Sequence, residues 1–320
     1  MIRSPLVVAL STVILFSSLP ACTSRQDSII GQSHTASGNE PARTLCVGRY
    51  TIDLPQSATD VHLAQSFQGV DIDVTYPATS AALDEALKRK LADDAKQVGS
   101  APTLVPAQTG DRDEVVQVWQ GGDNLYSVHG VLLRNDTGFV FSAGVTGESL
   151  QEAKAVIGKL AQTIQLRDTL AVPAQQGFCI ERGFIPGGYA GGETATLSAN
   201  IPAREASLLV STNSEAQNTG GGLLTRLISL PVPLANLMSS DTEILRRGEK
   251  TVAGRTGDEY AYVVKESKDV SFEWNALTGN NHASEPAMKI AMDTGSAVSP
   301  DGRGALMNLW EDLLTSVKLR

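Results

Sequence analysis

The sequence has no excess of positive charge, few cysteines and histidines, and no apolar run long enough to span a bilayer. Lys and Arg number 26 against 35 Asp and Glu, so the net charge is −9 and the isoelectric point lies near 5.0. That balance argues against nucleic acid as a partner, because binding a polyphosphate requires a basic face. It also keeps the body from being drawn to anionic headgroups, so membrane attachment needs a separate device. The four histidines, His34, His62, His129 and His282, stand far apart, and no Cys/His spacing suits zinc. His34 falls in a polar stretch, and His62 and His129 read as surface or partner-bonded imidazoles on strands. No Gly-x-Ser-x-Gly elbow is present: Ser142 in Phe141-Ser142-Ala143-Gly144 lacks the first glycine and falls in an expected strand. The glycine clusters Gly187-Gly188, Gly191-Gly192 and Gly220-Gly221-Gly222 are not followed by the Lys-Ser/Thr of a phosphate cradle. Asp71 and Asp73 share a strand face, which reads as a solvated face rather than an acid–base pair. The expectation is a non-enzyme with no catalytic residue, no metal and no cofactor.

What is present begins at the N-terminus. Arg3 precedes an uncharged run from Leu6 to Phe16, the right length for the apolar region of a signal peptide and too short for a membrane span. Leu19-Pro20-Ala21-Cys22 follows and resembles a bacterial lipobox, with Pro20 a departure from the usual small residue. Residues 1–21 are therefore expected to be a signal peptide, and Cys22 the lipidated first residue of an exported, periplasmic protein. Thr23 rather than Asp after it points to outer-membrane sorting. Residues 22–43 are rich in Ser, Thr, Gln and Gly and read as a flexible tether.

The body carries an internal echo. Leu45-Cys46-Val47-Gly48-Arg49-Tyr50-Thr51-Ile52 returns as Phe178-Cys179-Ile180-Glu181-Arg182-Gly183-Phe184-Ile185. Thr109-Gly110-Asp111 returns as Thr256-Gly257-Asp258, and Thr163-Ile164-Gln165-Leu166-Arg167 as Ser316-Val317-Lys318-Leu319-Arg320. Three landmarks in the same order indicate a duplicated domain, with the second copy longer: Cys to Arg is 121 residues in one and 141 in the other. The expected division is 44–167, a linker at 168–176 marked by Pro173, and 177–320.

Arg49 to Leu54, Asp71 to Tyr76, Glu114 to Gln120, Leu125 to Arg134 and Gly138 to Thr146 read as strands of the first copy. Leu83, Leu87, Leu91 and Ala95 mark a helix, and Leu150, Ala153, Ile157, Leu160 and Ile164 a second. The second copy shows strands at Tyr260 to Val264, Val270 to Trp274 and Met288 to Met292, then a helix with Leu306, Leu309, Trp310, Leu313 and Val317. Short turns between strands require antiparallel pairing. The fold class is α+β: two tandem related domains, each an antiparallel sheet with helices on one face.

Cys46 and Cys179 occupy matching places, so docking of the two copies could join them in a disulfide; two buried thiols in equivalent cores is the other reading. Arg49 and Arg182, repeated beside them, read as structural. So do Asp111 and Asp258.

The paired openings, Cys46-Val47-Gly48-Arg49-Tyr50-Thr51-Ile52-Asp53-Leu54-Pro55 and Phe178-Cys179-Ile180-Glu181-Arg182-Gly183-Phe184-Ile185, resemble the family of type VI secretion immunity proteins that neutralise lipase effectors, over about residues 44–320. The resemblance implies a periplasmic protein whose two domains occlude a phospholipase or lipase toxin; it carries over no catalytic residue. Partner contacts would fall on the longer loops of the second copy, at Tyr189, Asn218, Asn280, Asn281 and His282. The alternatives are a structural or assembly lipoprotein of the envelope that binds another protein, or a periplasmic hydrolase with an unrecognised site.

Overall fold

The computed structural model describes residues 40–98, 103–105, 114–216, 241–279 and 284–320. The first repeat opens with a hairpin of β1 (Ala42–Val47) and β2 (Tyr50–Pro55), followed by β3 (Thr59–Phe67), β4 (Val70–Thr75) and helix α1 (Ser80–Val98). It continues with β5 (Thr103–Val105), β6 (Glu114–Gly122), β7 (Leu125–Arg134), β8 (Thr137–Thr146), α2 (Leu150–Thr163) and β9 (Gln165–Leu166). The second repeat comprises β10 (Gly177–Ile180), β11 (Gly183–Pro186), β12 (Thr194–Ile201), β13 (Ala206–Asn213) and β14 (Thr242–Val252). It closes with β15 (Arg255–Val264), β16 (Val270–Ala276), β17 (Ala287–Thr294), α3 (Pro300–Ser316) and β18 (Lys318–Leu319).

Strand order shows the duplication. In the first repeat the sheet runs β3-β4-β8-β7-β6-β5, and in the second β12-β13-β17-β16-β15-β14, the same path strand for strand. The two halves join where β12 pairs antiparallel with β3, Leu197 opposite Leu63, so one 12-stranded sheet runs through both repeats. The described residues accordingly belong to one compact unit.

The repeats also exchange their ends. β9, the tail of the first repeat, pairs with β11 of the second, and β18, the tail of the second, pairs with β2 of the first. Each small three-stranded sheet is thus a hairpin from one repeat completed by the other's tail.

Register identifies the core face. Phe141, Ile72, Gln65, Leu63, Leu197, Val210, Ile290 and Trp274 lie on one side of the sheet by successive pairing, and all are buried. On this side α2 docks: a Cβ at Gly130 would meet Ile157 at 2.4 Å, so only glycine lets the helix so close. α3 docks on the same side through Leu306, Trp310, Leu313 and Leu314, an i, i+4, i+7, i+8 stripe. Its start is set by Ser299, whose side chain accepts from the Gly302 N–H at 3.2 Å, with Pro300 in the first turn.

Here one expectation is corrected: the helices do not all share a face. A Cβ at Gly138 would meet Leu83 of α1, and Gly138 is an odd number of residues from Phe141 along β8. Side chains alternate across a strand, so α1 covers the side opposite to α2. An apolar stripe says that a helix covers a sheet, not which side it covers.

Candidate functional site

The buried meeting point of the repeats is built around the cysteines. Cys46 on β1 and Cys179 on β10 form a disulfide, Cα to Cα 5.8 Å, and Gly48 and Cys179 exchange backbone hydrogen bonds beside it. Gly48 has φ +55° and packs so tightly that a Cβ would lie 3.0 Å from Ala195, so the first hairpin turn requires glycine. The closing residue of each repeat brings an arginine here. Arg320 Nη1 lies 3.0 Å from Cys46 Sγ and 3.1 Å from Cys179 Sγ. Its Nη2 donates to the carbonyls of Pro173 and Gln175. Arg167 donates to carbonyls of Gly183, Thr169, Ala171 and Ile180. Burial, and then the neighbouring Arg320, lower the Arg167 pKa to about 10, which leaves it charged at neutral pH. The 168–176 segment thus folds its carbonyls around two guanidinium groups.

A second constellation fixes the loop holding Tyr189. Arg49, buried in the first repeat's hairpin turn, reaches into the second repeat: Nε and Nη2 grip Glu193 at 2.9 and 2.5 Å, and Nη1 and Nη2 donate to the Gly187 and Gly188 carbonyls at 2.7 and 2.5 Å. The two side chains are 4% and 5% exposed, so their charges need each other. Glu193 also accepts from the Ala190 N–H, and Tyr189 lays its ring 4.9 Å from the Arg49 carbon. Arg49 is a structural residue, and what it structures is the loop 187–193.

The third is a polar cleft of about 410 Å³ beside α1, lined among others by Asp71, Lys90, Asp94, Tyr126, His129 and Ser142. His129 stands opposite Ser142, and Asp71 opposite Ser142, in the β7–β8–β4 register, so all three face α1. His129 Nε2 contacts Asp94 Oδ2 at 2.9 Å, while its Nδ1 is buried and makes no hydrogen bond. Serine, histidine and carboxylate thus come together, yet no hydrogen bond links Ser142 to the imidazole, which a nucleophile–base pair would need. Asp73 pairs with Lys90 at 2.7 Å on the same face, and burial raises the Asp71 carboxyl above its ordinary range.

Burial pushes the His129 pKa down from its ordinary 6.5, outweighing the upward pull of Asp94. The unfolded chain therefore takes up the proton more readily than the folded one. This contribution to stability is complete above about pH 6.5 and is lost as the pH falls through the lower folded value. The drop in melting temperature from about pH 7.5 to about pH 5 should thus be smaller in His129→Gln than in the wild type. An equal drop in the two proteins would show that this imidazole is not the acid-sensitive group.

Of the expected contact residues, Tyr189 is half-buried against Arg49, whereas Asn218, Asn280, Asn281 and His282 lie outside the described residues, as do Cys22, His34 and Asp111. Glu193 and Asp94, the carboxylates that organise two of the three constellations, escape sequence reasoning. Glu193 follows a glycine pair with no periodicity, and Asp94 looks like any acid on the outer face of α1. Among the described residues no group of His, Cys, Asp and Glu is placed to hold a metal, and no helix is long and apolar enough to cross a membrane.

Fold and site together define a duplicated, disulfide-joined α+β scaffold with exchanged tails, whose ordered polar groups position loops. Comparison with known proteins is more particular. Residues 171–320 match the family model described as the Tle cognate immunity protein 4 C-terminal domain. No curated protein matches the chain. Among solved structures, the apo immunity protein TplEi of the type VI secretion system from Pseudomonas aeruginosa shares 19% identity, covering 87% of this chain and 97% of its own, with a TM-score of 0.71. A crystal structure of a Tle4–Tli4 complex gives the same four values. TplEi with an "L" peptide gives 19% identity, 87% and 98% coverage and a TM-score of 0.68. At that identity these three establish the fold, an α+β architecture over nearly the whole body.

Proposed function

We propose that this chain is an immunity protein that binds a cognate secreted phospholipase or lipase effector in the periplasm and blocks it by steric occlusion, without making or breaking a bond. The observation that carries this reading is the family match over 171–320, a segment that includes both the second hairpin and the exchanged tail. The solved relatives support it: one is an immunity protein of a type VI system, and another was crystallised as a Tle4–Tli4 complex. At the His129 cleft the imidazole engages Asp94 through Nε2, and its Nδ1 makes no hydrogen bond to a nucleophile. In this reading residues 44–167 and 177–320 are two immunity domains joined by 168–176. Cys22 carries the lipid that holds the protein to the outer membrane. The partner is one protein, the toxin; nucleic acid has no part in it.

Co-expression tests the proposal. A periplasm-directed lipase encoded beside this gene should arrest growth alone and cease to do so when this chain accompanies it, with a complex stable at nanomolar concentration. A lipase equally toxic in its presence would refute the reading. Loss of protection on Cys22→Ala with the signal peptide intact would separate anchoring from binding.

A further inference from the structure

The duplication supplies its own comparison. Arg49 and Arg182 each lie three residues beyond a bonded cysteine, in the two-residue turns of β1–β2 and β10–β11. Each guanidinium sits over a tyrosine: Arg49 at 4.9 Å from the Tyr189 ring centre and Arg182 at 3.1 Å from that of Tyr76. There the two diverge. Arg49 has a carboxylate from its own chain, Glu193, which stands immediately before β12. Before β3, the matching strand, the residues are Ser57-Ala58 and supply no acid. Asp60, the first acid of β3, accepts from Asn200 at 2.8 Å, and Glu181, the neighbour whose carboxyl feels the Arg182 charge, makes no ion pair with it. No hydrogen bond or ion pair of the described residues engages the Arg182 side chain, whereas its backbone carbonyl accepts from Arg167. Tyr76, beneath it, is 47% exposed, one of the few large hydrophobic side chains that are.

A guanidinium held flat on an aromatic ring keeps its fork of N–H groups in one plane, which suits a carboxylate taken bidentately. Most of the entropy that a free arginine loses on binding is already lost, and Tyr and Arg are the residue types that carry interface energy. We infer that Tyr76 and Arg182 form an anchor for an acidic side chain of the protein partner, in the place that Glu193 fills within the chain for Arg49. The inference rests on the immunity reading above and adds the chemistry of one contact to it.

Titration of the disulfide-intact protein with the neighbouring lipase-type effector tests it, using wild type, Arg182→Ala, Arg182→Lys and Tyr76→Ala. Loss of an arginine hot spot of about 2 kcal/mol corresponds to an affinity about 30-fold weaker for Arg182→Ala. Arg182→Lys keeps the charge but not the fork and should stay roughly 5- to 10-fold weaker than wild type; Tyr76→Ala should weaken binding comparably. All three should melt within about 2 °C of the wild type, since the pair is at the surface. Wild-type affinity in Arg182→Ala would overturn the anchor and leave the immunity reading standing. Full affinity in Arg182→Lys would overturn the bidentate contact. A wild-type protein that does not bind the effector would remove the immunity reading, and the anchor with it.

Discussion

Replacing Cys46 and Cys179 together by serine should cost about 5 kcal/mol of folding stability, the largest effect expected of any substitution outside the hydrophobic core. The bond spans a sequence separation of 133 residues, and a loop of that length loses much closure entropy in the unfolded chain when it is tied. Its position adds to the effect. The two cysteines sit in the hairpins that receive the exchanged tails, so the same bond secures both small sheets. At roughly 2–4 °C per kcal/mol for a body of this size, the double variant should melt about 10–20 °C below the wild type. Wild type unfolded in reductant should coincide with the variant, because Arg320 keeps its carbonyl partners whether or not the sulfurs are joined. A loss below about 1 kcal/mol would mean that the sheet and the tails alone hold the repeats together. Such a bond persists in an oxidising compartment, which the proposed periplasmic location would supply.

Sequence alone showed the duplication because the repeat lies in backbone-determining landmarks: a cysteine-bearing hairpin at each start and a Leu-Arg tail at each end. β6, β7 and β8 were legible from alternation and from the turns at Asp123-Asn124 and Asn135-Asp136. β3, β12 and β13 were not, and β3 and β12 are the strands that unite the repeats. In β3 the core-facing series Leu63, Gln65, Phe67 is interrupted by a buried glutamine, whose Nε2 donates to Ile72 and whose Oε1 accepts from the Glu181 N–H, so the period of two is broken by a polar residue with good reason to be there. The tail exchange was out of reach for a different reason. Two-residue strands such as β9 and β18 carry no periodicity, and which hairpin each tail joins is decided only by how the halves dock. The site followed the same rule: Arg49 was visible as a repeated residue, but its partner lies 144 residues away and nothing in the sequence couples them.

That partner gives the second large effect. Glu193→Ala should lower stability by about 3–5 kcal/mol, because it leaves the Arg49 charge buried with two carbonyls and no counter-charge. Glu193→Gln preserves the shape and one acceptor, so it should fall between the alanine variant and the wild type. The loop should respond before the fold does: with Ala190 N–H and Tyr189 released from Glu193 and Arg49, cleavage by a protease within 187–192 should accelerate at temperatures where the sheet is still intact. The double variant Arg49→Met/Glu193→Met separates a charge effect from a packing effect. Removing both charges removes the need for compensation, so the double variant should lose less than Arg49→Met and Glu193→Met lose in sum, with a coupling of about 1–3 kcal/mol. If the two single losses simply add, the pair is not a unit, and the loop owes its order to the backbone bonds at Ser214 and Gly69 instead. The outcome also bears on recognition. A loop held by a buried ion pair presents Tyr189 in one conformation, so a partner that uses it should bind more weakly to Glu193→Ala even under conditions where that variant is fully folded.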